Sequence, residues 1–233
     1  MTIKESFVSQ RLCDQFNLVH SVLLPESVNP DEPVPLVVLV HGYAGNEEAM
    51  WIFKRVIPKG VAIVAPRALI PLAEKEYSWF EHEGEHLIVP NLASLQIAIE
   101  VLYQFIIDLP NHYPVDLSQL VVMGFSQGAA MCNGLAFVWP DLLQGVVSIA
   151  GILPDLPDIT PYPDLLIDLP VFIAHGLKDK TVPLNKAHNI RDSYRQLGAR
   201  VTYGEYNVGH KINTQALKDL RVWTEQRFGD FGD

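Results

Sequence analysis

The sequence predicts an α/β fold: a mostly parallel, twisted sheet with helices on both faces. Two observations carry that expectation. Short apolar runs rich in β-branched residues recur at 37–40, 61–65, 120–125, 146–149 and 171–174. They are continuous rather than alternating, which suits strands buried on both faces of a parallel sheet. Segments of helical period lie between them, and such alternation implies crossover connections covering the sheet from either side.

The elements follow in order. Residues 6–24 carry a weaker signal, consistent with one or two antiparallel strands at an edge. The clearest helix is predicted over 91–108, where Leu95, Ala98, Ile99, Leu102, Phe105, Ile106 and Leu109 recur at spacings of three and four. Asn91 is its expected N-cap, and Pro110 closes it. A second helix is expected over 185–197, with Ala187, Ile190, Tyr194 and Leu197 on one face and Gly198 just past its end. The last helix is expected over 214–227. Between residues 153 and 170, Pro154, Pro157, Pro161, Pro163 and Pro170 exclude a helix, because each proline removes a donor and clashes with the preceding turn. This segment reads as a surface loop, too short for a cap domain. No internal repeat or low-complexity tract is visible, so residues 1–233 read as one domain.

Composition narrows the function. Of the residues, 48% are hydrophobic and 19% charged, an ordinary globular balance, and the formal net charge is -10 with no basic block. That charge disfavours nucleic acid and anionic membrane surfaces as partners. Cys13 and Cys132 cannot form a disulfide framework, and Cys132 reads as a buried, inert thiol. The first residues, MTIKESFVSQ, lack the apolar core of a secretory signal, and no apolar run comes near the ~18 residues of a membrane span. A cytoplasmic location is the expectation. An edge strand or aromatic surface leaves room for a homodimer.

The strongest chemical signal is Gly124-Phe125-Ser126-Gln127-Gly128, placed directly after one predicted strand and opening a helix through Ala129 and Ala130. A serine nucleophile on a sharp strand-to-helix turn needs this context: a side chain at either glycine would strike the neighbouring chain, and the helix N-terminus favours developing negative charge. Taken alone, the motif is also compatible with a glycine-rich packing turn. A serine hydroxyl needs a base and an orienting acid. Among eight histidines, His210 follows the last strand and precedes the last helix, where a base could hang over the sheet edge. His41 and His175 each end a buried strand as His-Gly and read as hydrogen-bonded structural residues. His82, His86 and His112 lie in polar loops, and His188 on a helix face. Asp179, in the loop after the strand at 171–174, is the expected acid. Asp155, Asp158, Asp164 and Asp168 on the proline-rich loop read as solvated carboxylates.

Two backbone donors must meet a tetrahedral oxyanion. The Gln127 amide is one, and the Tyr43 amide, in His41-Gly42-Tyr43-Ala44-Gly45-Asn46, is the other. No Cys, His or carboxylate cluster has metal-ligand spacing, so neither a metal nor a cofactor is expected.

Together with Ser78-Trp79-Phe80, His175-Gly176 running through Asp179 to Val182-Pro183, and Gly209-His210, these motifs resemble the phospholipase/carboxylesterase family, which includes bacterial carboxylesterases and acyl-protein thioesterases. The likeness spans nearly the whole chain in the right order. It implies an α/β-hydrolase fold without a large cap, cofactor-free ester or thioester hydrolysis, Ser126, Asp179 and His210 as the triad, and Trp79 near the substrate. The thioesterase branch carries Leu-Gly-Asp where this chain has Tyr43-Ala44-Gly45, and Trp-Phe-Asp where it has Trp79-Phe80-Glu81; the triad is untouched by either departure.

The expected activity is that of a serine carboxylesterase acting on small acyl esters of short to medium chain, with Trp79, Phe80, Trp51 and Ile152 as candidate acyl contacts. An acyl-protein thioesterase or lysophospholipase would use the same machinery on a thioester or lipid. A non-catalytic binding member of the fold is the alternative of another class.

Overall fold

The computed structural model describes residues 18–26, 28–29, 31–84, 89–154 and 164–229. Strands β1 (His20–Leu23), β2 (Val34–Val40) and β3 (Ala62–Pro66) come first, followed by a hairpin of β4 (Ile70–Ala73) and β5 (Glu76–Ser78). Helix α1 (Leu92–Asp108), strand β6 (Val115–Phe125), helix α2 (Gln127–Val138) and strands β7 (Gly145–Ile149) and β8 (Pro170–Gly176) follow. Helix α3 (Leu184–Gln196), strand β9 (Arg200–Tyr206) and helix α4 (Thr214–Phe228) complete the order.

Seven strands form one sheet in the order β1-β3-β2-β6-β7-β8-β9, with β1 antiparallel to β3 and every other pair parallel. The expected edge antiparallel strand is therefore β1; residues 6–17 lie outside the described residues. The continuous apolar runs resolve into two alternating sets, as period-2 geometry requires. Leu36, Val38, Val64, Val122, Val146, Val171 and Ile173 face a core shared with α1, α2 and α3. Val37, Leu39, Ile63, Val121, Met123, Val147 and Phe172 face a second core with α4 and the short 3₁₀ helix Trp51–Val56. Helices thus cover both faces.

The caps show why the helices start and stop where they do. The Asn91 side chain accepts from the Ser94 N–H at 3.0 Å, satisfying one of the free donors of α1. The 3₁₀ turn Leu109–Asn111, with Pro110 inside it, ends that helix. Gly198, at φ +90°, leaves α3 in a conformation that a Cβ would strain. Residues 92–111 are in fact long and apolar enough to cross a bilayer by length and composition, contrary to the expectation that no run approached that limit. Their apolar inner face explains the composition: Leu95, Ala98, Ile99, Leu102, Phe105 and Ile106 are buried against the sheet. Replacing Leu102, fully buried, by Ala should cost about 2–5 kcal/mol.

Three features differ from the sequence expectation. The β4–β5 hairpin was not foreseen. Strand β6 begins at Val115 rather than Leu120, with a register shift between Pro35 and Leu36 on its partner β2. Of the proline-rich segment, 155–163 lies outside the described residues and Asp164 to Asp168 form a turn, with Asp164 and Asp168 at positive φ.

Candidate active site

The central strand β6 hands the chain to α2 through one residue, Ser126, at φ 54° and ψ -114°. Such a conformation costs a residue with a Cβ of order 1–3 kcal/mol, and it persists because the surroundings enforce it. The Ser126 N–H donates to Ile149 O at 2.8 Å, tying the turn to the end of β7. A Cβ at Gly124 would stand 2.2 Å from Gly128 O, and one at Gly128 would stand 2.0 Å from Val40 O. Both positions therefore require glycine. Helix α2 is buried from Gln127 to Ala136, so small residues let it sink into the fold and hold the serine rigidly at the sheet edge.

The sheet brings Ser126, His210 and Asp179 together although 84 and 31 residues separate the pairs. His210 Nε2 lies 2.9 Å from Ser126 Oγ, and His210 Nδ1 lies 2.7 Å from Asp179 Oδ2. The Asp179 side chain is fully buried; its other oxygen accepts from the Thr181 and Val182 N–H groups at 2.9 and 2.8 Å. A carboxylate fixed by two backbone donors has one oxygen left for the imidazole, which selects the Nδ1–H tautomer and frees Nε2 to accept from the serine. Among the described residues, His210 is the histidine that bonds Ser126.

The rival groups are occupied elsewhere. His41 accepts from the Ala68 N–H through Nε2 and bonds Gly42 O through Nδ1, an arrangement open only to the neutral ring. Burial pushes its pKa down to about 4, against opposing contributions from the Gly42 bond and Glu47. His175 donates to Val182 O at 2.8 Å, bracing the loop that carries Asp179, and burial lowers its pKa as well. His112 pairs with Asp108, and His188 with Glu205. Asp164 and Asp168 are exposed; Asp168 precedes β8, at the opposite end of the strands from Asp179. Asp155, Asp158, His86 and Cys13 lie outside the described residues. Cys132 is buried, and burial raises its thiol pKa.

The loop after β2 approaches the same turn. Gly45 N–H closes on Gly42 O at 3.1 Å, and Ala44 takes φ 58°. Among the described residues, the backbone N–H groups of Tyr43 and Gln127 have no hydrogen-bond partner, and both residues line the cleft beside Ser126. Glu47 anchors this loop through two bonds to Arg67, whose guanidinium stacks 4.7 Å from the centre of the Tyr77 ring. Burial alone would raise the Glu47 carboxyl pKa, but Arg67 holds it below the usual range.

The cleft over Ser126 has a volume of about 490 Å³ and is mostly apolar; Tyr43, Met50, Ile52, Phe53, Phe125 and Ile212 form much of its wall. Its described lining includes none of Trp79, Phe80, Trp51 and Ile152, the residues expected to contact an acyl chain. Trp79 and Phe80 are each only 1% exposed and belong to the core. They serve Gln127 instead: its Oε1 accepts from the Trp79 N–H at 2.9 Å, and its Nε2 donates to Ser78 Oγ and Phe80 O at 2.8 and 3.1 Å. Ile152 is buried, its carbonyl accepting from Asn133, and Trp51 opens the 3₁₀ helix whose Ile52 and Phe53 reach the cleft. The residues of this helix that line the cleft are one and two positions beyond Trp51.

A half-buried serine elbow, an imidazole and a carboxylate on the carboxyl edge of a helix-covered parallel sheet define an α/β-hydrolase. Residues 26–227 match the Phospholipase/Carboxylesterase family model, and the chain belongs to that family. It is 28% identical to Acyl-protein thioesterase 1 of Candida albicans over 52% of this chain and 55% of that protein, so about half of that relative is matched. Its fold is similar to a carboxylesterase from Mesorhizobium loti (TM-score 0.79, 20% identity, 92% and 97% of the two chains). It is also similar to the Bacillus cereus carboxylesterase (TM-score 0.77, 21% identity, 91% and 95% of the two chains).

Proposed function

We propose that this protein is a cofactor-free serine carboxylesterase that hydrolyses acyl esters of short to medium chain through an acyl-enzyme. The observation that carries the reading is the hydrogen-bonded series from Ser126 Oγ through His210 to Asp179 Oδ2. His210 Nε2 takes the Ser126 proton as Oγ attacks the ester carbonyl. The carbonyl oxygen becomes an oxyanion held by the Tyr43 and Gln127 N–H groups. His210 then gives its proton to the departing alcohol, which leaves Ser126 acylated. Water enters, His210 removes its proton, and collapse of the second tetrahedral adduct returns the acid and the free serine. Asp179 steadies the imidazolium in both halves.

The apolar wall formed by Tyr43, Ile52, Phe53 and Phe125 supports an alkyl acyl group as the bound moiety. Thioester hydrolysis is the second reading. It uses the same groups and differs in the leaving atom, and the similarity to an acyl-protein thioesterase favours keeping it. A panel of p-nitrophenyl esters and matched thioesters of graded acyl length, assayed with wild type and Ser126→Ala, tests both. Turnover that survives in Ser126→Ala would end the serine assignment; faster turnover of thioesters at every length would select the second reading.

A further inference from the structure

The wall of the cleft is chemically lopsided. The side made by Tyr43, Met50, Ile52 and Phe53 is apolar, whereas Thr181 and Lys211 line it beside His210. Lys211 is exposed and, apart from His210, the one ionisable cation among the described lining residues. Two more exposed lysines, Lys178 and Lys180, flank Asp179 in the same loop as Thr181. None of the three ammonium groups has a carboxylate partner among the described residues, while Arg67, Arg191, Arg200 and Arg221 are each paired with one. The chain has only 17 Lys and Arg against 27 Asp and Glu. Lys211 thus sets an unpaired cation in the wall of an otherwise apolar cleft, where it attracts and orients anions.

Building on the esterase reading above, we propose that Lys211 selects substrates carrying a carboxylate a few bonds from the scissile ester, so that the natural substrate class is an anionic acyl ester. The carboxylate would take the Lys211 side of the cleft, with the Thr181 hydroxyl within the same wall, and leave the alkyl segment on the Ile52 and Phe53 side. Lys178 and Lys180, exposed in the loop that carries Thr181, add a diffuse positive field.

The test compares p-nitrophenyl hemiglutarate with p-nitrophenyl valerate, which place the charge in the acyl arm. In a second arm, 4-carboxyphenyl butyrate is compared with 4-carbamoylphenyl butyrate, which places it in the alcohol. The readout is the ratio of kcat/KM for the charged ester to that for its neutral partner within each variant. Wild type should favour one charged ester by about two- to fivefold at low ionic strength, the range of an exposed ion pair. The ratio should approach one in Lys211→Gln, invert in Lys211→Glu, and shrink toward one above ~0.1 M salt, where the screening length is about 10 Å. Lys59→Gln, in the turn before β3 and so at the far end of the strands, should keep the wild-type ratio. A wild-type ratio at or below one in both arms, or a preference unchanged in Lys211→Gln, overturns the inference. Absence of Ser126-dependent turnover of the neutral esters would instead overturn the esterase reading beneath it.

Discussion

Trp79 and Gln127 are locked together beneath the serine turn, the Trp79 backbone N–H donating to the Gln127 carboxamide at 2.9 Å. The Trp79 indole Nε1 donates in turn to His41 O, and Tyr77, two residues earlier, donates its N–H to Gly45 O. Residues 77–80 are thus a strut that fixes the Gln127 amide relative to the loop bearing the Tyr43 amide.

Gln127→Met, which keeps volume and loses three hydrogen bonds, should therefore affect both rate and stability. Each buried group left unpaired costs about 1–3 kcal/mol, and each kcal/mol lowers Tm by roughly 2–4 °C in a chain of this size. Because the proposed oxyanion donors would shift, kcat should fall by about 10–100-fold with KM little changed. Thermal melts and steady-state kinetics check this; unaltered kcat would show that the carboxamide is not needed to aim the donors.

Asp179→Asn should leave the fold intact and lower kcat by roughly 10⁴-fold, because the amide can favour the wrong imidazole tautomer. Asp168→Asn should retain nearly full rate: Asp168 is exposed, at φ 59°, which Asn tolerates well, and it lies at the other end of the strands. Side-by-side kinetics with one p-nitrophenyl ester decide the matter, and a reversed order would reassign the acid.

Acid stability should depend on His41. Its folded pKa of about 4 lies below the unfolded value near 6.5, so the unfolded chain binds more protons between these limits. Stability is unaffected by this group above about pH 6.5 and falls as pH drops toward 4, by roughly 3 kcal/mol at 1.36 kcal/mol per unit. Urea melts from pH 7.5 to 4 should show the decline, and His41→Gln should flatten it while lowering stability at neutral pH. An equally steep decline in that variant would assign the loss to other groups, such as the buried His175 and His20.

Acyl length should be read by the Ile52 and Phe53 wall. Each early methylene should raise kcat/KM by up to ~0.8 kcal/mol, roughly fourfold, until the cleft is filled. Ile52→Ala should flatten that rise, because Ile52 is exposed in the cleft wall, whereas Trp79→Ala should chiefly destabilise, since Trp79 is buried away from the cleft. A series from acetate to palmitate in both variants checks it; a rise continuing to palmitate would favour a lipid-directed thioesterase.

Much of this was legible in the sequence because it is local. The serine elbow announces itself through glycines that must clear Val40 and Gly128, and the strand runs through their continuous burial. Ser126, Asp179 and His210 follow the ends of β6, β8 and β9, which sets them on one edge. What escaped is non-local. The β4–β5 hairpin is largely exposed and carries Pro71, Glu74 and Lys75, so it lacks a buried apolar run. The family resemblance implies Trp79 near the substrate, whereas its burial and its long-range bond to Gln127 make it a strut. Ile52 and Phe53 sit in a short 3₁₀ turn with no periodic signature.

Ser126 is proposed to be a nucleophile made reactive by His210. The most direct measurement of this is the intact mass, with peptide mapping, of the protein after brief reaction with a fluorophosphonate. We predict a single adduct on Ser126 in wild type, none in Ser126→Ala, and labelling slowed by at least about a hundredfold in His210→Ala, as loss of the general base requires. No adduct in folded wild type, an adduct on another residue, or an undiminished rate in His210→Ala would contradict it.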